Sequence, residues 1–228
     1  MTAAITAAGG GRTSVGKKVG VAVTGIIGIG FVFAHMVGNL KIFLGPHAVN
    51  KYGEFLRDMG EPIFPRSVLL WGLRIVLLVA VAVHIMFTYQ LARQSRAARP
   101  VRYQQKIKNV QASYASRTMR WGGVAILLFI IFHLADLSWG AHPDFVRGDV
   151  YHNAVIGFRR LWVTAIYLVA MFALGMHLYH GTWSVTQTLG INQARWDRVI
   201  HRVATTLAVV IAGGYSVVPL AVVFRLVK

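Results

Sequence analysis

The stretch VGVAVTGIIGIGFVFAHMVG (19–38) holds twenty residues with no carboxylate, lysine or arginine, and one histidine, His35. A transmembrane helix needs about 20 mostly apolar residues, so the stretch reads as a membrane span with an imidazole inside it. The same combination returns in LLVAVAVHIMF (77–87) with His84, in AILLFIIFHLA (125–135) with His133 and in AIYLVAMFALGMHLYHG (165–181) with His177. An ionisable group at membrane depth is costly and marks function. Four of them in four successive spans call for one common explanation.

Working outward, apolar residues gather into five blocks, roughly 19–42, 68–92, 121–140, 160–185 and 200–226. The chain has 228 residues, 56% hydrophobic and 14% charged, with most of the charges between the blocks. The fold class is therefore all-α: a five-helix transmembrane bundle, one domain over 1–228, with 1–17 a flexible N-terminus. The formal charge of +17 is placed asymmetrically. Arg12, Lys17 and Lys18 precede the first span; Arg93, Arg96, Arg99, Arg102, Lys106, Lys108, Arg117 and Arg120 separate the second and third; Arg195, Arg198 and Arg202 separate the fourth and fifth. Glu54, Asp58, Glu61, Asp136, Asp144 and Asp149 fall on the other side. The positive-inside rule makes the N-terminus cytoplasmic in a multi-pass protein of the cytoplasmic (inner) membrane. Attraction to anionic lipid accounts for most of this charge, and no nucleic acid is expected.

The chain has no cysteine, so it supplies neither thiolate-held iron–sulfur clusters nor disulfides. With no cleavage signal ahead of it, the first span is expected to be retained. The 43–67 connection is rich in glycine and proline but can hold one short surface helix in KYGEFLRDMG. The basic loop 93–120 is expected to be amphipathic or extended, and 141–159 a plain external connection.

Depth follows from a rise of about 1.5 Å per residue. With helix direction alternating, His35 and His133 fall near the external face, His84 and His177 near the cytoplasmic face. Two histidines from different helices at one depth are the axial pair of a six-coordinate b-type haem, and two layers give two stacked haems. Each such ring needs an acceptor for its other N–H, for which helix carbonyls one turn earlier or nearby Ser and Thr could serve. Macrocycles need room, which suits Gly25, Gly28, Gly30, Gly122, Gly123 and Gly175, although close helix packing explains such glycines equally well. Propionates need cations: Lys41, Arg74, Arg159 and Arg160 outside, Arg93, Arg117 and Arg120 inside. Arg74, within a span, is the strongest of these. His180 is a rival to His177, or a propionate or quinone contact. His47, His142 and His152 read as ordinary surface residues, and His201 as anchorage.

The segments FAHMVGNLKIFLGPHAVNKYGEFLR (33–57) and HLYHGTWSVTQTLG (177–190) resemble the membrane cytochrome b subunit of succinate dehydrogenase and fumarate reductase, in its single-subunit, five-helix, dihaem class (the b558 family). The resemblance covers nearly the whole chain from about residue 17. It implies haem ligation by His35, His84, His133 and His177. The family's pattern of His, three residues, Gly, then Trp and Ser matches His177, Gly181, Trp183 and Ser184, which favours His177 over His180. A fumarate-reducing branch carries Glu two residues before the fourth ligand; Gly175 stands there, so the resemblance implies succinate oxidation with reduction of a menaquinone-type quinone. It also implies a flavoprotein subunit, an iron–sulfur subunit docked on the basic loops, and room for a higher oligomer of the complex. Asn39, Lys41, His47 and Trp139 are then candidate quinone contacts. Anchors of hydrogenases, formate dehydrogenases or nitrate reductases share histidine-rich helices. A proton-coupled transporter with a histidine relay requires intramembrane acids or broken helices, and only Asp136 comes near a span.

Overall fold

A computed structural model describes residues 13–98, 110–191 and 193–228, with the side chains of 110–118 left aside. Its helices are α1 (Ser14–Leu40), α2 (Pro46–Asp58), α3 (Val68–Ala97), α4 (Val110–Leu137), α5 (Val150–Arg159), α6 (Leu161–Thr188) and α7 (Ala194–Val223), with a 3-10 turn at Lys41–Leu44. Five of them, α1, α3, α4, α6 and α7, are long and apolar enough to cross a membrane. The lengths follow from composition: each apolar block is rich in Ala, Leu, Val and Ile, and lipid forces every backbone group to bond within its own helix.

Tryptophan placement agrees with a bilayer. All six indoles are exposed: Trp71, Trp139 and Trp162 at one end of the bundle, Trp121, Trp183 and Trp196 at the other. The two belts lie about 27 Å apart along α4 and about 32 Å along α6, close to the hydrocarbon thickness of about 30 Å.

Three differences from the sequence reading stand out among the helix bounds. Helix α1 starts at Ser14, so the last residues of the expected flexible terminus are helical, with the Thr13 hydroxyl accepting from Gly16 N at 3.1 Å. Helix α4 starts at Val110, eleven residues before the apolar block, because Gln, Ala, Arg and Met there are good helix formers regardless of polarity. Hydropathy finds where lipid begins, and the helix begins earlier. Arg12, Arg99, Arg102, Lys106, Lys108 and the side chain of Arg117 lie outside the described residues. The third difference is α5, within what reads as a plain connection.

Helices α6 and α7 form the packed spine, each with a third of its apolar window buried. Gly175 lies against α7, where a Cβ would stand 3.2 Å from that of Ala212, so this glycine serves helix packing. Helix α1 packs on α3, α6 and α7, and α4 packs on α6. Gly20 lets α1 approach α3, since a Cβ there would collide with the Phe87 ring. One core holds Met36, Leu178, Ala208 and Ile211 at mid-bundle. The other gathers Ile42, Val155, Phe158, Val163, Tyr167, Val218 and Val222 under α5.

Helices α2 and α5 cap that second end and are tied together by side chains. Asn50 Nδ2 donates to Asp149 Oδ1 at 3.0 Å, and Asn50 Oδ1 accepts from Tyr151 N at 3.1 Å. Asn153, buried, accepts from Val146 N at 2.8 Å and donates to Val146 O at 2.7 Å. Asp149 is the N-cap of α5, accepting from His152 N at 2.9 Å. That backbone N–H, then Asn50, holds its carboxyl below the usual carboxylate range. A carboxylate with a depressed folded pKa stabilises fully above its unfolded pKa, about 3.9, and loses that contribution as pH falls through the folded value. Asp149→Asn keeps a capping oxygen but removes the charge. Its melting temperature should lie below that of the parent at pH 6 and converge with it in acid; a gap independent of pH would refute the charged cap.

Candidate cofactor site: two histidine pairs

The four span histidines meet in twos. The rings of His35 (α1) and His133 (α4) have centroids 5.9 Å apart, and those of His84 (α3) and His177 (α6) 6.2 Å. The helices that carry each pair do not pack closely on one another: α1 and α4 are bridged by α6, and α3 and α6 by α1. Each pair thus reaches across a space between helices.

Partners on neighbouring helices fix which nitrogen is free. Thr24 donates its hydroxyl proton to Gly20 O at 2.7 Å, and His84 Nδ1 lies 3.0 Å from Thr24 Oγ1. His133 Nδ1 lies 3.1 Å from the Tyr167 hydroxyl. Where Nδ1 donates in these bonds, Nε2 keeps its lone pair, the arrangement expected of a metal-binding imidazole; with the Thr24 proton committed to Gly20 O, the Thr24 oxygen accepts from His84 Nδ1. His35 stacks on Phe31 at 5.3 Å and lies 6.0 Å from the Tyr215 ring. Tyr215 in turn donates to Val32 O at 2.8 Å. His177 Nδ1 is buried with no hydrogen-bond partner. A buried polar atom without a partner is costly, so this ring has unused bonding capacity.

The pairs occupy two levels. On α1, Thr24 meets the His84 pair and His35 belongs to the other, which puts the levels about 16 Å apart. On α6, Tyr167 meets His133 and His177 belongs to the second pair, which gives about 15 Å. Both helices therefore serve both levels.

The separation within each pair suits one metal ion between two rings. A metal–imidazole bond of about 2 Å on each side, with each centroid about 1 Å behind its nitrogen, brings centroids to about 6 Å. Among the described residues no group of three or more His, Cys, Asp or Glu could hold a metal ion. The described residues bring two imidazoles together per level, so a metal held there would take its remaining ligands from outside the chain, and a haem would supply four. Space is consistent with this at Gly28 and Gly30, where a Cβ would meet nothing within 4 Å. Gly25 and Gly123 face His84 and His177, with Cβ positions 3.7 and 3.8 Å from the respective Cε1 atoms.

The other site residues named from the sequence distribute unevenly. His180 is not brought to His84; its ring lies 5.1 Å from Tyr179. Arg74, exposed, sits over the Trp71 ring at 4.8 Å. Lying about ten residues before His84 on an antiparallel helix, it comes to the level of His35. Lys41 lies over Tyr52 at 5.2 Å, and Arg159 is exposed at the end of α5. Arg160 is not a free cation, because its Nη2 donates to Asp136 Oδ1 at 2.6 Å. Arg93 and Arg120 are exposed at the opposite end. Asn39 is half-buried, while His47 and Trp139 are exposed.

His142, expected at the surface, is buried at 6% exposure against Phe145, with both ring nitrogens unpartnered. The turn after α4 folds back, with Ala141 N donating to Ala135 O at 3.0 Å, and carries the ring inward. Sequence reasoning also missed Thr24, Tyr167 and Tyr215, although a hydroxyl inside an apolar run needs a partner and was a usable signal. No family model, curated protein or solved structure matches the chain.

Proposed function

We propose that this chain is a dihaem membrane cytochrome b, the anchor subunit of a succinate:quinone oxidoreductase. The observation that carries the cytochrome reading is the meeting of four intramembrane imidazoles as two pairs, each with centroids about one metal's span apart. The succinate assignment rests on the sequence resemblance around His35 and His177.

Held by His35 with His133 and by His84 with His177, a haem at each level would supply a one-electron carrier, which with two protein ligands each would suit conduction across the bundle rather than binding of a gas. The chain's own residues set the geometry. Thr24 and Tyr167 hold the rings of His84 and His133 through Nδ1, fix their rotation and bias which nitrogen bears the proton. Arg74, Lys41 and Arg159 are cations at or beyond the His35 level, placed to neutralise propionates there. The spine of α6 and α7 keeps the two levels in register.

In this reading the N-terminal side is cytoplasmic and the membrane is the cell's cytoplasmic membrane. Exposed Arg93 and Arg120 belong to the surface that docks an iron–sulfur subunit, itself joined to a flavoprotein that oxidises succinate. Menaquinone is the acceptor, with Asn39, Lys41, His47 and Trp139 at its site on the external end.

Pyridine haemochrome quantitation of the purified complex, with a reduced-minus-oxidised spectrum, tests the reading. Two b-type haems per chain, together with succinate:menaquinone activity, are expected. Zero or one haem would overturn the cytochrome. Two haems with copurifying subunits that oxidise hydrogen or formate would keep the cytochrome and overturn the succinate assignment.

A further inference from the structure

Among the described residues one lysine or arginine is buried, Lys17, near the start of α1 at 8% exposure. Its ammonium makes no hydrogen bond or ion pair with any described residue. The chain has no carboxylate to offer it. Of its seven acidic residues, Glu54, Asp58, Glu61, Asp136, Asp144 and Asp149 belong to the far end of the bundle. The seventh, Asp197, is 58% exposed and lies 3.5 Å from His201 Nε2. A lysine taken out of water without a counter-ion is costly, and the positive end of a helix dipole adds to that cost. The position therefore calls for an anion from outside the chain.

The face of α1 on which Lys17 lies indicates which anion. At 3.6 residues per turn, His35 stands about five full turns from Lys17 on the same side of the helix. Thr24, which meets His84, is about 20° off that line, and Gly28, where a Cβ would meet nothing within 4 Å, about 20° off it on the other side. Lys17 thus belongs to the face of α1 that serves both histidine pairs. It lies about 10 Å beyond the level of Thr24, toward the N-terminal end of the helix.

A lysine at the edge of a membrane ordinarily lays its stem on apolar surface and keeps its head in water. Its exposed neighbour Lys18 is placed to do so, as are Arg93 and Arg120 at the same end. Lys17 is turned inward instead, toward the histidine face. A haem carries its two carboxylates, the propionates, on one edge of the macrocycle, and a lysine is a suitable donor to either.

We infer that Lys17 binds and neutralises a propionate of the haem held by His84 and His177. The identity of the ligand rests on the dihaem reading above; the choice of residue rests on the burial and facing of Lys17.

The test is an anaerobic redox titration of the intact complex that follows the two haem bands separately, the band of interest being the one that His84→Ala removes. Lys17→Gln should shift the reduction equilibrium of that haem roughly tenfold toward the ferric form, a fall of about 59 mV for one electron. The propionate bending band in its resonance Raman spectrum should fall in frequency as the hydrogen bond is lost. The other haem should not move, neither haem should move in Lys18→Gln, and Lys17→Arg should keep most of the parent value. Should Lys17→Gln lose the haem altogether, its retention in Lys17→Arg would support a charge contact, and its loss from both would overturn one. Two haems with midpoints and propionate band unmoved in Lys17→Gln would overturn the inference and leave the dihaem reading standing. Unmoved haems with anionic phospholipid lost from the purified complex would likewise overturn it, and assign Lys17 to a lipid headgroup. A parent complex without haem would overturn the dihaem reading itself, and the ligand with it.

Discussion

His84→Ala and His177→Ala should each abolish the same haem signal, and His35→Ala and His133→Ala should each abolish the other, leaving one haem per chain in all four variants. The expectation follows from the ring separations of 6.2 and 5.9 Å, which allow one metal per pair and no exchange of partners between levels about 15 Å apart. A haem held by two histidines would keep only one of them after either substitution, so loss should approach completeness. Low-temperature reduced-minus-oxidised spectra, which resolve two bands, provide the measurement. His180→Ala is the control. If it removed the band that His84→Ala removes while His177→Ala left that band intact, the second pair would be His84 with His180, against the geometry. Four variants that each lost both bands would show that the levels do not form independently.

The second large effect belongs to the ion pair at the far end of the bundle. Asp136, 5% exposed, accepts from Arg160 at 2.6 Å, and its Oδ2 has no hydrogen-bond partner. Arg160 also lies over the Trp162 ring at 5.6 Å and within 3.4 Å of Gly157 O through Nε. Removing one member of a buried pair leaves an uncompensated charge and typically costs about 3–5 kcal/mol. Asp136→Ala should reach about 3 kcal/mol, the lower end, because the Arg160 side chain is 29% exposed and water can reach it. Arg160→Met should cost a similar amount by stranding the carboxylate. The double variant Asp136→Leu with Arg160→Met should recover most of the loss. Reversible unfolding in detergent would measure it. A double variant no better than the worse single one would mean that the two side chains do not act as a pair.

The histidine pairing was legible in the sequence because it needed only span boundaries, alternating direction and a fixed rise. An error of four residues at a boundary shifts a histidine by about 6 Å, less than half the distance between levels. His180 was ambiguous because it lies one turn from His177; the family pattern favours His177, and in the fold the His177 ring is the one that meets His84. The turn that buries His142, and the contact that commits Arg160 to Asp136, depend on how α4 ends and where α5 lies. Nothing in AHPDFVRGDVYHNAVIGFRR (141–160) announces α5 by hydropathy, since its buried residues, Asn153, Val155, Gly157 and Phe158, fall within the short stretch 153–158 and include a polar one. The Asp149 cap was its one local signal.

The order of the four histidines along the chain has a consequence for synthesis and descent. The pairs are interleaved: His84 lies between His35 and His133, and His133 lies between His84 and His177. A nascent chain that has placed α1 and α3 in the membrane holds half of each pair and neither one complete. The His35 pair closes once α4 is inserted, and the His84 pair only with α6. A break between Ala98 and Val110 would leave two fragments, each with two unpaired histidines. Neither fragment could serve as a working one-site ancestor, and the chain cannot be built by joining two self-sufficient halves.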